Sequence, residues 1–250
     1  MFKNVLVFCA VSLMLVGCGT SYSGNGGGGN YAGQAQGVYS GTSSSGYHFS
    51  TIVVPSDKFY AIYGTVSGNA LLLSGLVTGQ GTSGNGTYTA SVTDYTNTGA
   101  IDSGSISATY VAATSLNGTL TENGTAITVN ATWEPASSFN YNTSASVSAI
   151  TGTWTGTLLD GMTTTVTINS NGSVSGASSG CSFSGTVAAD SSNKNFFDVS
   201  LTFGASPCSL ANQTATGIAV EYLLSDGVTH QLLVAVTVGT TFGTVFAAVR

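Results

Sequence analysis

The sequence predicts an all-β protein built as two tandem antiparallel barrels of eight strands each, with a pair of β-sandwiches as the alternative architecture. Three observations lead there. Apolar residues alternate with Ser, Thr and Asp at period two, as in Thr87 to Tyr95, where Tyr88, Ala90 and Val92 mark one face. Turn signals separate such stretches: Pro55-Ser56-Asp57-Lys58, Ser67-Gly68-Asn69, Glu122-Asn123-Gly124, Asn169-Ser170-Asn171-Gly172 and Ser225-Asp226-Gly227, where Asn-Gly and Asp-Gly supply the positive φ of short hairpins. A motif also recurs, Gly37-Val38-Tyr39-Ser40-Gly41-Thr42 returning as Gly152-Thr153-Trp154-Thr155-Gly156-Thr157. Closure removes the exposed edges that a sheet with only 6% charged residues could not defend.

The chain opens with Lys3 and an apolar run from Val5 to Val16. That run has the length of a signal h-region and is too short to cross a hydrocarbon core of about 30 Å as a helix. It ends in Leu15-Val16-Gly17-Cys18, which resembles the lipobox of bacterial lipoproteins. The resemblance implies a signal peptide over 1–17, cleavage between Gly17 and Cys18, diacylglycerol on the Cys18 thiol and acylation of the new amino terminus. Gly19 at the next position, where inner-membrane retention often has Asp, implies the outer membrane. Each buried acyl methylene contributes about 0.8 kcal/mol, so several chains hold a soluble domain on a membrane without a transmembrane segment.

Residues 18–36 then read as a lipidated cysteine and a flexible Gly/Ser-rich tether, since GTSYSGNGGGGNYAGQAQ has clustered glycines and no apolar period. The first barrel is expected over 37–133, with strands starting near Val38, Tyr47, Phe59, Leu71, Thr87, Gly104, Leu116 and Thr125. Glu134 to Ala149 lacks alternation and contains Pro135, so it is read as a linker. The second barrel is expected over 150–250, with strands starting near Thr153, Thr163, Ser173, Ser182, Phe196, Ala215, Thr229 and Gly243. Units of about a hundred residues can each hold a core.

The Gly-x-aromatic-x-Gly start of each half resembles the opening strand of lipocalin-like meander barrels, which implies that Tyr39 and Trp154 plug one end. The whole plan of lipidated cysteine, glycine tether and barrels resembles Gram-negative surface lipoproteins of the transferrin-binding protein B and factor H binding protein types. Those proteins engage partners through charged residues, which this chain nearly lacks.

Composition excludes several roles. The formal net charge is -6, and loss of Lys3 with the signal makes it one more negative. An acidic chain with no basic patch is unsuited to nucleic acid or anionic headgroups. Cys9 leaves with the signal and Cys18 goes to lipid, so Cys181 and Cys208 remain. In an oxidising compartment this pair is expected to form a disulfide. With no CxxC spacing and His230 the one nearby imidazole, the two cysteines do not make a zinc site.

No catalytic constellation is present. His48 and His230 each read as an outward residue of an alternating strand, and Asp160, Asp190 and Asp226 as turn caps. The expectation is therefore a non-enzymatic envelope protein, anchored to the outer membrane through Cys18 on its periplasmic or cell-surface face, with no metal and no cofactor. Its role is structural or macromolecule-contacting; the alternative is a carrier of a small apolar ligand, and an envelope hydrolase is remote. For a carrier, Phe59-Tyr60-Ala61-Ile62-Tyr63 and the run Leu71 to Val77 are the stretches that could line a cavity.

Overall fold

The computed structural model describes residues 33–67, 70–137, 139–224 and 226–250. The expected signal peptide, its cleavage point at Gly17 and Cys18 and the expected lipid site lie outside the described residues. The first barrel is formed by β1 (Gly37–Ser43), β2 (His48–Val53), β3 (Lys58–Ser67), β4 (Ala70–Gly84), β5 (Thr87–Thr96), β6 (Ile101–Val111), β7 (Ser115–Glu122) and β8 (Thr125–Trp133). After a four-residue helix α1 (Val147–Ile150), the second is formed by β9 (Gly152–Leu158), β10 (Thr163–Ile168), β11 (Ser173–Ser178) and β12 (Cys181–Ala189), followed by β13 (Phe197–Phe203), β14 (Thr214–Leu223), β15 (His230–Val238) and β16 (Phe242–Val249). Each strand pairs antiparallel with the next, and β1 closes on β8 and β16 on β9, so both units are closed barrels rather than sandwiches.

Strand starts fall within one residue of the sequence expectation except in β6, which begins at Ile101 rather than Gly104. The inward positions at its start are Asp102 and Gly104, so the apolar alternation that marks a strand begins only at Ile106.

The repeated motif closes each barrel. A Cβ on Gly41 would lie 1.8 Å from the Asn130 carbonyl oxygen, and one on Gly156 would lie 2.1 Å from that of Ala247. Only glycine lets the first and last strands approach this closely. Gly37 and Gly152 have φ of 149° and 123° and lie under the last side chain of their own barrel, Trp133 and Arg250 respectively. Between the glycines, Tyr39 and Trp154 are fully buried. Each donates to a carbonyl four residues upstream, Tyr39 Oη to Ala35 O at 3.0 Å and Trp154 Nε1 to Ile150 O at 2.8 Å. The plug implied by the resemblance is thus built twice.

Three apolar cores result. One fills the first barrel around Tyr39, Phe59, Tyr88 and Tyr110; a second lines the other barrel around Trp154, Phe197 and Phe246. The third joins the two, with outward residues Tyr60, Ile62, Leu76 and Tyr95 packed against Ile218, Val220, Leu233 and Val245. The stretch Phe59 to Tyr63 therefore divides by parity between barrel interior and inter-barrel contact.

The tether and linker boundaries need correction. Residues 33–36, drawn as tether, are folded: Ala35 is fully buried, and the Gly33 amide donates to Asp57 Oδ1 at 3.0 Å. The same buried carboxylate accepts from Ser83 N and Ser83 Oγ, so Asp57 ties this segment to the end of β4. The segment read as a free linker carries buried Phe139 and Tyr141 in the joining core. Phe139 stacks on Tyr222 at 4.7 Å, and Tyr141 Oη donates to Val53 O at 3.2 Å. Its apolar residues lack strand periodicity because they fill a wedge between two curved surfaces.

Candidate functional site

The second barrel is closed at one end and hollow toward the other. Trp154 blocks the closed end beneath α1. The Arg250 guanidinium lies 4.0 Å over its ring and donates to Thr151 O at 2.6 Å and Ala149 O at 2.9 Å. One cation at the end of the last strand thus ties the helix, the plug and the first strand together.

Toward the other end is a cavity of about 360 Å³. Its wall comes from the inward positions of alternating strands, among them Val166, Ile168, Val174, Val199, Leu201 and Val236. Small and β-branched side chains do not reach the barrel axis, and this volume lies within the range of small-molecule sites. Phe183, Phe203 and Phe242 line its upper part in successive edge contacts of 6.3 and 6.2 Å. Asp160 is the one charged residue on the lining, and its Oδ1 accepts from the Met162 amide at 3.0 Å.

Two features bound the mouth. The disulfide Cys181–Cys208, Cα–Cα 4.6 Å across a separation of 27, fastens the loop between β13 and β14 to β12, and Ser209 and Leu210 of that loop line the cavity. The β5–β6 turn of the first barrel supplies Asn97, Gly99 and Ala100. That turn is held in place by Tyr95, whose Oη donates to Gly239 O at 3.0 Å and whose ring lies on Gly243. Two lining hydroxyls, Thr164 Oγ1 and Ser178 Oγ, are buried with no hydrogen-bond partner among the described residues.

The first barrel uses its interior differently. Aromatic rings sit against glycines on the neighbouring strand, Tyr63 on Gly75, Phe59 on Gly79 and Tyr88 on Gly81, which fills the space that the second barrel leaves open. At the end away from Ala35 it holds Asp94, Asp102 and Glu122. Asp94 is 5% exposed and accepts from Tyr63 Oη at 2.8 Å. Burial pushes its carboxyl up to about 6, against the lowering effect of the Tyr63 bond and with a further push from Asp102. Burial, then Asp94 and Asp102, pushes Glu122 up to about 7. The same burial and the Asp94 charge raise the Tyr63 phenol.

Of the residues singled out by sequence, Cys181 and Cys208 come together at the cavity mouth, and Cys18 lies outside the described residues. His48 faces outward, as expected. His230 departs from expectation: it sits half-exposed at the start of β15 with Nδ1 against Glu221 Oε1. Among the described residues no group of three or more His, Cys, Asp or Glu is placed to hold a metal. The cavity residues were missed because Val and Thr at period two mark a strand whether its inner face meets side chains or open space; the signal available was the lack of large aromatics at the middle positions of β10, β11 and β13.

No protein-family model matches the chain, and no curated protein does. Among solved structures it is similar to the crystal structure of isotype 1 transferrin binding protein B from serogroup B Neisseria meningitidis, at 6% identity and a TM-score of 0.25. The match covers 81% of this chain and 65% of that one.

Proposed function

We propose that this chain is a non-enzymatic protein of a bacterial cell envelope, lipid-anchored through Cys18 to the outer membrane, whose second barrel carries a small apolar ligand. The observation that carries this is the cavity of about 360 Å³ in that barrel, walled by aliphatic and aromatic side chains. Of the two non-enzymatic expectations, structural contact and carriage, the cavity supports carriage. An engineered apolar cavity of about 150 Å³ holds one benzene, so this one takes a molecule of roughly fourteen heavy atoms. The motif Leu15-Val16-Gly17-Cys18 supports the anchor. Away from the inter-barrel contact the strands present Thr and Ser outward, as in the Thr153–Thr167 and Thr155–Thr165 pairs. Such a face suits water, not the acyl chains that an integral barrel meets.

Native mass spectrometry of the processed protein taken from its own membranes tests carriage. A small molecule should remain bound and leave on unfolding, and Ala219→Trp, which places an indole in the cavity, should abolish it. Protein that carries nothing and takes up no apolar probe after delipidation would refute the carrier reading. Cys18→Ala should move the protein from the membrane to the soluble fraction; continued membrane association would overturn the anchor.

A further inference from the structure

Resting on the carrier reading, we infer that the ligand is a neutral molecule with a single hydrogen-bonding group, an alcohol or carbonyl compound rather than a fatty-acid anion, recognised by Thr164 and Ser178. Thr164 is 1% exposed and both residues line the cavity. Their hydroxyl oxygens have no partner among the described residues. They belong to adjacent antiparallel strands whose register pairs Thr165 with Ala177, so Thr164 and Ser178 face one another one step further on. A buried hydroxyl left unpaired in apolar surroundings is destabilising, and valine or alanine would fill either position without that cost. Two such hydroxyls side by side on an otherwise apolar wall form a polar subsite with both donor and acceptor capacity.

The charge of the surroundings selects the partner. The lining includes no Lys, Arg or His, and its one charged residue is Asp160. A carboxylate brought here would be desolvated without a counter-ion and near a like charge, which disfavours it strongly. A neutral hydroxyl or carbonyl meets no such penalty and satisfies at least one of the two orphans. A site built to bond a polar group also discriminates against the analogue that lacks it, because its own groups then stay unpaired.

Three probes of one ring system and suitable size separate the possibilities: naphthalene, 2-naphthol and 2-naphthoate, titrated by fluorescence into delipidated protein at pH 8. The wild type should bind 2-naphthol about tenfold more tightly than naphthalene, and 2-naphthoate most weakly. In Thr164→Val/Ser178→Ala, 2-naphthol should fall to the affinity of naphthalene while naphthalene itself is held at least as well. The ligand-free double variant should melt higher than wild type, since it loses two unpaired hydroxyls, and Ser178→Ala alone should show both trends at smaller size. Equal binding of naphthalene and 2-naphthol by wild type, or tightest binding of 2-naphthoate, would overturn this inference and leave carriage standing. Binding of none of the three would overturn carriage and this inference together.

Discussion

Asp94 should make the protein less stable as pH rises through the neutral range, and Asp94→Asn should remove much of that loss. The carboxylate is 5% exposed inside the first barrel and cross-strand from Asp102. It has one bond from Tyr63, and its Oδ1 has no partner among the described residues. Its pKa rises from 3.8 to about 6. Between those values the folded protein keeps a proton that the unfolded chain has released, so the favourable contribution is fully present below about pH 4 and is lost as pH climbs through about 6. A rise of roughly two pH units corresponds to about 3 kcal/mol in full, of which about 1.4 kcal/mol falls between pH 5 and 8. Solvent at the barrel mouth screens the charges, so about 1 kcal/mol is expected over that interval. The side-chain amide of the Asp94→Asn variant would still accept from Tyr63 through its oxygen while carrying no charge. Urea unfolding at pH 5 and pH 8 should show the wild type losing about 1 kcal/mol more than Asp94→Asn, with the variant the more stable of the two at pH 8. Parallel pH profiles for the two proteins would refute the assignment.

Three further outcomes are expected. Gly37→Ala should cost about 2 to 5 kcal/mol in urea unfolding, since its φ is 149° and the new Cβ would meet the Trp133 ring at 1.9 Å; Gly46→Ala, with φ of 86° and nothing within 4 Å, should cost about 1 kcal/mol. Phe139→Ala should cost about 3 to 5 kcal/mol and split calorimetric unfolding into two transitions, because it opens a cavity in the core that joins the barrels; a single, merely lowered transition would mean the rest of that core is enough to couple them. Reduction of Cys181–Cys208, or its replacement by serines, should cost about 3 to 4 kcal/mol and weaken probe retention, since the bond closes a loop at the cavity mouth; unchanged retention would show that the loop contributes nothing to the mouth.

Strand positions were legible because Ser and Thr outside and apolar residues inside give a period of two that few other structures share, and because Asn-Gly and Asp-Gly pairs mark where it breaks. The signal failed in β6, where Asp102 and Gly104 occupy inward positions. It also failed for the segment around Phe139 and Tyr141, whose burial depends on two surfaces meeting rather than on any local period. The cysteine pair was legible from the count of cysteines and the expected export of the chain. The cavity was not, since hollowness belongs to the sum of opposed side chains across a barrel, and Val166, Val199 and Val236 lie far apart in the chain.

The same closing motif starts two barrels with different interiors, and one contribution to the difference is the number of aromatic rings seated on glycines. In the first, Gly75, Gly79 and Gly81 along β4 each receive an aromatic ring from an adjacent strand, so three large side chains lie flat across the interior and consume it. In the second, one strand glycine receives a ring, Gly176 from Phe183, while Gly156, Gly185 and Gly217 would clash with main-chain oxygens of the neighbouring strand. There glycine draws the strands together but leaves the axis unfilled. A barrel with an open interior gives up dispersion contacts that a filled one keeps, and the joining core compensates by bracing β14, β15 and β16 from outside with Tyr60, Leu76 and Tyr95. The filled barrel also lends its β5–β6 turn to the mouth. The first barrel is thereby a buttress and part of a rim, with three ring-on-glycine contacts along β4 where the second barrel has the single Phe183–Gly176 contact.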